Sequence, residues 1–449
     1  MFNTILYWLA WIILPVIIET IPTFYNFIFL IKKKINKKPT KKLDFFPDIT
    51  IMIPVYNSSK TLENCIASIN NSSYKNSSIE VILIDNGSKD NSFKIFQDCQ
   101  IKFPTLAMNW MSSKQGKSKA LNKAIFNSHG KYIINIDSDG ILEKDALNNL
   151  IYKFENDKDV DCMTGTILIE PSLIEDTKGF FLRIFRRLEF IEYCQAFLAS
   201  RNYQSEKNSI FTLSGAFSAF RKSTLLKTQL YNTSTICEDT HLTFQVKTNL
   251  KQEVKLCEDA LFFVDPIDDF NKFYTQRQRW QIGELEVNHM FYDKIFSKNP
   301  LKILFNKDAR LLIIDHTFSF PKMVWYFALM ALCALNYSFD RVIFFTLIVY
   351  FLYVINGFLY FLNVNSFLSE FPHIKKYYKS KVFYLFLLPI YTLISFFIRL
   401  AGIVNSIHRK ASWRTNTITD ERYMVEDAIR DDFSVYLNFR NKVRQFMEK

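Results

Sequence analysis

Two carboxylates separated by one serine, Asp137 and Asp139, follow an apolar run with the composition of a buried strand. Because residues i and i+2 of a strand point the same way, both side chains would crowd on one side. Like charges at that spacing raise each other's pKa unless a cation neutralises them. A hard divalent ion, Mg²⁺ or Mn²⁺, suits a few protein carboxylates plus diphosphate oxygens. The pair therefore predicts a metal site, with a solvated turn as the alternative.

A second polar group follows two earlier strand-like runs. Pro54, Tyr56 and Asn57 lie at the end of the first run, and Asp85 ends the second run just before Gly87. Gly87 can adopt the positive φ that a tight turn needs. An acid at a strand end can accept hydrogen bonds from a uracil ring or a ribose. The alternative interpretation of Asp85 is an ordinary Asx turn.

A glycine with lysines on both sides opens a helix-like stretch at Gly116 and Lys117. The backbone N–H groups of a helix start, with a lysine beside them, are suited to bind a phosphate group. The surrounding string, residues 114–122, does not match the P-loop pattern, so an ATPase of that type is disfavoured. The alternative interpretation is a basic helix face.

Two acids, Glu238 and Asp239, open another helix-like stretch directly after Cys237. An acid near a helix start is commonly a cap that interacts with the free N–H groups and the helix dipole. The functional interpretation is that Asp239 acts as a general base and takes a proton from an acceptor hydroxyl. The residues alone leave both interpretations open.

The string at residues 275–283 combines two arginines, two glutamines and a tryptophan. On a helix, Gln276, Arg279 and Trp280 share one face. Arg277 and Arg279 could clamp a diphosphate leaving group, and the indole could stack on a sugar ring. An amphipathic helix at a membrane interface would have the same composition, and both interpretations can hold together.

These residues need elements that bring them together, and the pattern from about 48 to 306 supplies such elements. Strand-like and helix-like runs alternate along the chain, at 49–54, 61–70, 79–85, 92–102, 117–128 and 131–137. Alternating strands and helices predict βαβ units with a parallel sheet, which binds ligands at the carboxyl ends of its strands. The acids lie at those ends.

Apolar runs on both sides of this region predict membrane spans. They cover residues 5–31, 311–335, 342–362 and 382–404, long enough to cross a hydrocarbon core about 30 Å thick. The start of the second run contains Asp315 and His316 and could lie along the interface instead. We expect four spans, although the basic tail from His408 would then lie outside, against the positive-inside rule.

Composition and charge agree with a membrane protein that carries a large aqueous domain. The chain has 449 residues, with 45 Phe and 22 Tyr, and a formal net charge of +12. Seven lysines within 32–42 follow the first apolar run, so much of the excess charge indicates a cytoplasmic linker and not nucleic-acid binding. The seven cysteines form no CxxC pair, which disfavours a zinc site or a disulfide framework.

Taken together, these motifs resemble glycosyltransferase family 2, in particular the membrane-embedded processive synthases of hyaluronan, chitin, cellulose and poly-N-acetylglucosamine. The narrower resemblance is to the bacterial poly-N-acetylglucosamine synthases and to the transferases associated with exosortase-type systems. Asn86, where many members have an acid, and Cys237, where they have threonine, depart from the pattern. The resemblance implies an α/β fold, with a Rossmann-like GT-A nucleotide-sugar-binding domain in the cytoplasm and transmembrane α-helices.

The resemblance also implies a role for each matched residue. Asp239 is the catalytic base, and Asp137 and Asp139 bind Mg²⁺ or Mn²⁺. Gly215, in a segment similar to the acceptor-site loop, contacts the acceptor together with Glu238 and Trp280. The residues expected to bind the nucleotide sugar are Pro54, Tyr56, Asn57, Asp85, Lys117, Asp137, Gln276, Arg277 and Arg279.

The expected organisation follows the composition along the chain. It comprises a transmembrane helix (1–31), a basic cytoplasmic linker (32–47), the GT-A domain (48–270), interfacial helices (271–310), further transmembrane helices (311–404) and a basic tail (405–449). The expected protein is a multi-pass protein of the bacterial plasma membrane with its catalytic domain in the cytoplasm.

The expected activity is that of an inverting transferase, which uses a nucleotide-diphospho-sugar such as UDP-GlcNAc to extend a cell-surface polysaccharide. Its partners would be the nucleotide sugar, the growing glycan or a lipid-linked acceptor, and the lipid bilayer. One alternative is a distributive transferase that adds a single sugar to a lipid-linked acceptor. The other is a catalytically silent membrane scaffold.

Overall fold

The computed structural model of the protein describes residues 2–37, 43, 45–291, 319–335, 337–408 and 417–423. Within these residues an eight-stranded mixed sheet forms the centre of the aqueous domain. Its strands are β1 (Ile49–Val55), β2 (Ile79–Asp85), β3 (Ala107–Ser112), β4 (Tyr132–Ile136), β5 (Ile141–Leu142), β6 (Val160–Ile169), β7 (Phe217–Arg221) and β8 (Glu253–Val264).

The strand order is β3-β2-β1-β4-β7-β6-β8-β5. Strands β1 to β4 are parallel, and Ile51 pairs with Val81 of β2 and Ile134 of β4. Strand β7 runs antiparallel to both of its neighbours, β4 and β6. The carboxyl ends of β1, β2 and β4 therefore meet at one edge of the sheet, as parallel strands require.

Helices cover both faces of the sheet, which explains why its strands are rich in Val and Ile instead of alternating with polar residues. Ile51 and Ile53 face one apolar cluster and Met52 faces the other, as the two-residue period of a strand dictates. The helices of this domain are α3 (Leu62–Asn70), α4 (Ser92–Lys102), α5 (Lys117–Asn127), α6 (Ala146–Asn156), α7 (Pro171–Glu175), α8 (Phe180–Tyr193), α9 (Arg201–Glu206), α10 (Lys222–Leu225), α11 (Glu238–Phe244) and α12 (Phe270–Met290).

Two helices precede the sheet and four follow α12 in the described part of the chain. They are α1 (Phe2–Pro15) and α2 (Ile21–Asn36), then α13 (Ser319–Ala334), α14 (Phe339–Phe367), α15 (Pro372–Ser380) and α16 (Leu388–His408). A π-helical turn, Val16–Thr20, joins α1 to α2. Pro15 and Pro22 bracket this turn, and a proline in a helix removes a hydrogen-bond donor, which accounts for the irregularity.

Three of the described helical segments are long and apolar enough to cross a membrane. They are Trp8–Asn36, Phe339–Glu370 and Leu388–Ser406, with mean hydropathies of 1.7, 2.3 and 1.6. They agree with the spans predicted at 5–31, 342–362 and 382–404. Of the fourth predicted span, residues 311–318 lie outside the described residues, and α13, with 16 residues, forms the rest. Four spans therefore stay a prediction.

The basic end of α2 is bound to the aqueous domain by ion pairs. Helix α2 continues through the first lysines to Asn36, past the predicted boundary at residue 31. Lys33 Nζ lies 2.7 Å from Glu206 and 3.5 Å from Glu258. Lys37 pairs with Asp259, next to Glu258 on β8. The sequence predicts that the lysine run sets the orientation in the membrane. In the structure, its described members also form the ion pairs that hold α2 on the aqueous domain.

The connector between the second and third spans is also joined to the aqueous domain. Glu175 of α7 accepts hydrogen bonds from Tyr377 and Lys381, each at 2.8 Å. Arg187 of α8 pairs with the same carboxylate and donates to Tyr384 at 2.6 Å. Residues 38–42 and 44 of the linker predicted at 32–47, the segment 292–310 and most of the tail after 408 lie outside the described residues.

Candidate active site

The loops that follow β1 and β2 hold each other through side-chain-to-backbone hydrogen bonds. Asn57, whose φ is 50°, accepts a hydrogen bond from the Lys89 N–H at 2.8 Å through its side-chain oxygen. Asp85 Oδ1 accepts from the Ser88 N–H at 2.9 Å. This last bond closes a turn at the end of β2, with the N–H three residues on as donor, where the Asx turn left as an alternative would use the N–H two residues on. Within the described residues, Asp85 Oδ2 makes no hydrogen bond, so this oxygen can still meet a ligand.

Two other predicted nucleotide-binding residues lie at the same edge. Pro54 is near the end of β1, in the register that pairs it with Ile84 of β2. The Tyr56 side chain is 51% exposed, although it directly follows a buried strand. A large aromatic ring left open at a strand end is free to stack on a ring of a ligand.

The helix start at Lys117 is tied to both the β2 loop and the β4 end. The Gly116 N–H donates to the side-chain oxygen of Asn86 at 2.6 Å, so the residue that departs from the family pattern has a structural partner. Lys117 Nζ lies 2.5 Å from Asp137 Oδ1 and 3.2 Å from the Gly215 carbonyl oxygen. Lys117, Asp137 and Gly215 therefore meet at one point, although 98 residues separate Lys117 from Gly215.

Asp239 lies on the other side of Gly215. A Cβ built on Gly215 would lie 3.0 Å from Asp239 Oδ2 and 3.6 Å from Lys117 Nζ, so any side chain here would enter the space between the lysine and the acid. Asp239 Oδ1 accepts a hydrogen bond from the Thr240 N–H at 2.7 Å. This backbone group orients the Asp239 carboxylate next to Gly215.

The two acids that open α11 have different environments. Glu238 is 5% exposed, and its Oε2 has no hydrogen-bond partner among the described residues. Burial raises the pKa of Glu238 to about 7, although Lys117 opposes the shift. Burial also raises the pKa of Asp239 above its ordinary value, but the Thr240 N–H and Lys117 favour the ionised form. This contrast suits Asp239 to accept a proton and Glu238 to stay neutral.

The electrostatics around Asp139 fit a divalent cation. Enclosure by the protein and the nearby Asp137 carboxylate raise the pKa of Asp139 to about 6, although its side chain reaches solvent. A cation between the two carboxylates would relieve this repulsion. Among the described residues, no group of three or more His, Cys, Asp or Glu side chains could hold a metal ion. A cation here would therefore take its other ligands from substrate phosphates and water.

Helix α12 divides its predicted site residues between two environments. Arg277 is 7% exposed, pairs with Glu192 of α8 at 2.5 Å, and lies 4.7 Å from the Trp280 ring centre. Tyr391 of α16 donates to the same Glu192 at 2.8 Å. The Arg277 guanidinium thus joins α8, α12 and α16, and this packing does not fit the predicted diphosphate contact.

Other residues of α12 lie nearer the acids. Arg279 and Trp280 are half-buried, and the charge on Arg279 acts on the Cys237 thiol at the start of α11. Gln276 Oε1 is buried with no hydrogen-bond partner among the described residues. Gly283 allows α11 and α12 to cross closely, because a Cβ there would lie only 2.2 Å from Cys237 Sγ. The crossing sets the position of Asp239 relative to Trp280.

Two residues beside this cluster were not predicted. Asn135, buried in β4, donates to the Gly215 carbonyl at 2.7 Å and so holds the loop between Lys117 and Asp239. Arg201, the first residue of α9, is 9% exposed and electrostatically coupled to Asp239. Neither residue belongs to a motif. A single polar residue in a strand or a helix gives no sequence signal of what it faces.

Comparison with known proteins agrees with this geometry. Residues 50–227 match the model of the family described as "Glycosyl transferase family 2". The poly-beta-1,6-N-acetyl-D-glucosamine synthase of Staphylococcus aureus (strain COL) is 26% identical over 291 residues, which are 64% of this chain and 66% of the relative. The synthase of the same name from Staphylococcus epidermidis is 27% identical over 243 residues, 53% of this chain and 55% of the relative. The chain spans slightly less than two thirds of the curated relatives it matches.

A solved structure shares the fold. It is described as the mannosyltransferase PcManGT from Pyrobaculum calidifontis in complex with GDP-Man and Mn²⁺, and it covers 87% of this chain and 96% of its own. The TM-score is 0.56 and the sequence identity is 16%. This likeness and the family match confirm the predicted α/β fold with a GT-A domain.

Proposed function

We propose that this chain, whose residues 50–227 match the model of glycosyltransferase family 2, is an inverting glycosyltransferase that extends a polysaccharide at the membrane. The observation that carries the proposal is the convergence of Lys117, Asp137, Gly215 and Asp239 on one cleft. The matched synthases favour UDP-GlcNAc as the donor. The basic end of α2 favours a cytoplasmic position of the cleft.

In the proposed reaction, Asp239 takes the proton of an acceptor hydroxyl. The resulting oxygen attacks the anomeric carbon of the donor sugar from the face opposite the diphosphate. The new glycosidic bond forms as the bond between that carbon and the diphosphate oxygen breaks, which inverts the configuration. The backbone N–H group of Thr240 holds the carboxylate in place and favours its ionised form.

The leaving diphosphate carries the negative charge that the site must stabilise. Lys117, with its side chain 18% exposed, pairs with Asp137 just after β4 and lies near Asp239 as well. Asp137 and Asp139 would hold Mg²⁺ or Mn²⁺, which would neutralise charge on the departing diphosphate. Asp85 and Tyr56 at the neighbouring strand ends are placed to contact the nucleoside, and Trp280 the acceptor sugar.

The proposal is tested with detergent-purified full-length protein and a panel of nucleotide sugars, by following diphosphate release and product mass. We expect Asp239→Asn to abolish transfer while nucleotide-sugar binding stays within a few-fold of wild type. Asp161→Asn, an acid on β6 that bonds to Thr224, is a matched control and keeps wild-type turnover. Retained turnover in the Asp239→Asn variant would rule out Asp239 as the base.

Chelation and product length test the remaining parts of the proposal. Removing divalent ions with EDTA should stop diphosphate release, and Mg²⁺ or Mn²⁺ should restore it. Long products bound to few acceptors indicate a processive polymerase, whereas single additions to a lipid carrier indicate the distributive alternative. No diphosphate release with any nucleotide sugar would favour a scaffold.

A further inference from the structure

Arg201 is a buried cation that the proposed mechanism does not use. It begins α9, directly after the wide helical turn Cys194–Ser200. Its guanidinium lies over the Phe197 ring at 4.6 Å, and its Nη1 lies 3.5 Å from Thr164 Oγ1. Within the described residues, no carboxylate oxygen lies within 4.0 Å of it, unlike Arg277, which has an ion pair with Glu192.

Burying a guanidinium without a close counter-ion is costly, because arginine stays charged in proteins. Burial lowers the pKa of Arg201 to about 10, and Asp239 is the group whose charge opposes this shift. The same interaction favours the ionised form of Asp239. The described structure therefore compensates the arginine through the proposed catalytic base.

Contacts of one loop connect the two residues. Thr164 Oγ1, which faces Arg201, also accepts a hydrogen bond from the Ser214 N–H at 3.1 Å. The next residue, Gly215, lies against Asp239, since a Cβ built on it would be 3.0 Å from Asp239 Oδ2. Arg201 thus reaches the segment 213–215 through Thr164, and Asp239 contacts the same segment at Gly215.

The other charges near Asp239 do not replace Arg201. Lys117 is already paired with Asp137 at 2.5 Å. Glu238, the adjacent acid on α11, supplies no positive charge in either of its protonation states. The Cys237 thiol and the Tyr231 phenol, which also interact with Asp239, are neutral because burial raises the pKa of each.

From this arrangement we propose that Arg201 is a positioning residue of the transfer reaction, whose positive charge, held against Thr164 behind the segment 213–215, positions the Asp239 carboxylate for the acceptor. This inference rests on the proposed function of the cleft. It predicts that removing the charge moves the acidic limb of the activity–pH profile, because a carboxylate that loses a nearby cation binds its proton more tightly.

The test compares Arg201→Met, Arg201→Lys and wild type as full-length protein in nanodiscs, by measuring kcat and KM for UDP-GlcNAc between pH 5.5 and 9. Methionine is chosen because an apolar side chain of similar length often replaces a buried charge without loss of stability. We expect Arg201→Met to move the acidic limb of the profile to higher pH by about one unit, so that activity falls more at pH 6 than at pH 9. Arg201→Lys should restore the wild-type limb, and KM should change less than kcat.

Arg221→Gln serves as the matched control, since this arginine also stacks on aromatic rings and bonds to backbone carbonyls, but of the β6 and α6 region. Its acidic limb should stay at the wild-type position. An Arg201→Met profile that is lowered equally at every pH would overturn the proposal and leave Arg201 a packing residue.

A second measurement does not depend on turnover. Carbodiimide reacts with protonated carboxyls, so the labelling of Asp239, followed by peptide mass spectrometry across pH, reports its protonation. Arg201→Met should shift the labelling midpoint upward, and an unshifted midpoint overturns the proposal. If wild type transfers no sugar, the proposed function fails, while the labelling still decides the role of Arg201.

Discussion

The close crossing of α11 and α12 can be tested by adding a single methyl group at Gly283, where the two helices are in contact. In the Gly283→Ala variant, the new Cβ would lie 2.2 Å from Cys237 Sγ. Ordinary contacts between heavy atoms lie at roughly 3.5–4.0 Å. The two helices must therefore separate by more than about 1 Å, or Cys237 must leave its position next to Glu238 and Asp239.

The expected sign is opposite to the usual effect of this substitution. Glycine to alanine inside a helix ordinarily stabilises by about 0.5–1 kcal/mol. Overpacking of a tight contact costs about 1–3 kcal/mol. We therefore expect a net loss of about 1 kcal/mol in the free energy of unfolding. Because Asp239 lies on α11 and Trp280 on α12, a displacement of about 1 Å should also lower turnover about a hundredfold.

Thermal unfolding and diphosphate release on the same preparation measure both effects. The double variant Cys237→Ala/Gly283→Ala should recover most of the loss, because it removes the Cys237 sulfur. The atom nearest to the Cβ added at position 283 would then be the Cβ of residue 237, at 3.0 Å. Gly357→Ala on α14 is the control, since its nearest contact would be an ordinary 3.5 Å to Leu388. Wild-type stability and turnover in Gly283→Ala would refute this account of the crossing.

Three further predictions concern charges. Lys117→Met should lower kcat about a hundredfold or more, because the diphosphate loses its protein cation, while Lys117→Arg retains part of the activity. Lys37→Ala should destabilise the protein by about 2 kcal/mol by leaving Asp259 unpaired in a buried place, and a double-mutant cycle with Asp259→Ala should show coupling in unfolding midpoints. Burial raises the pKa of Glu189 to about 7, so its neutral form stabilises the fold below pH 4.5 and this contribution is lost as the pH rises through 7. The free energy of unfolding of wild type should therefore fall by roughly 3 kcal/mol more across that range than that of Glu189→Gln.

The elements with strong local patterns could be predicted from the sequence. The runs at 79–85 and 92–102 became β2 and α4 with unchanged bounds, and the stretch at 117–128 became α5 with one residue fewer. The convergence of Asp137 and Lys117 follows from the rule that parallel strands place their carboxyl ends at one edge. These features depend on short-range periodicity and on a general rule of sheets.

Features that depend on distant partners could not be predicted. Strand β7 was not predicted, and its antiparallel position between β4 and β6 depends on pairings with residues more than 50 positions away. The string around Arg277 suggested an anion clamp, but the structure pairs this arginine with Glu192, about 85 residues earlier. A motif gives the type of a side chain and not the partner that its neighbours supply.

The short helix α9 has a consequence for how the membrane acts on the enzyme. Its first residue, Arg201, lies next to Thr164 behind the segment 213–215, while the next residue, Asn202, accepts a hydrogen bond from Lys33 of α2 at 2.6 Å. A bilayer whose thickness does not match the length of the first candidate span would tilt α2, and Lys33 would transmit this displacement to Asn202 of α9. Lipid composition would thus change the rate of sugar transfer through the contact between the Lys33 and Asn202 side chains, which lies outside the cleft.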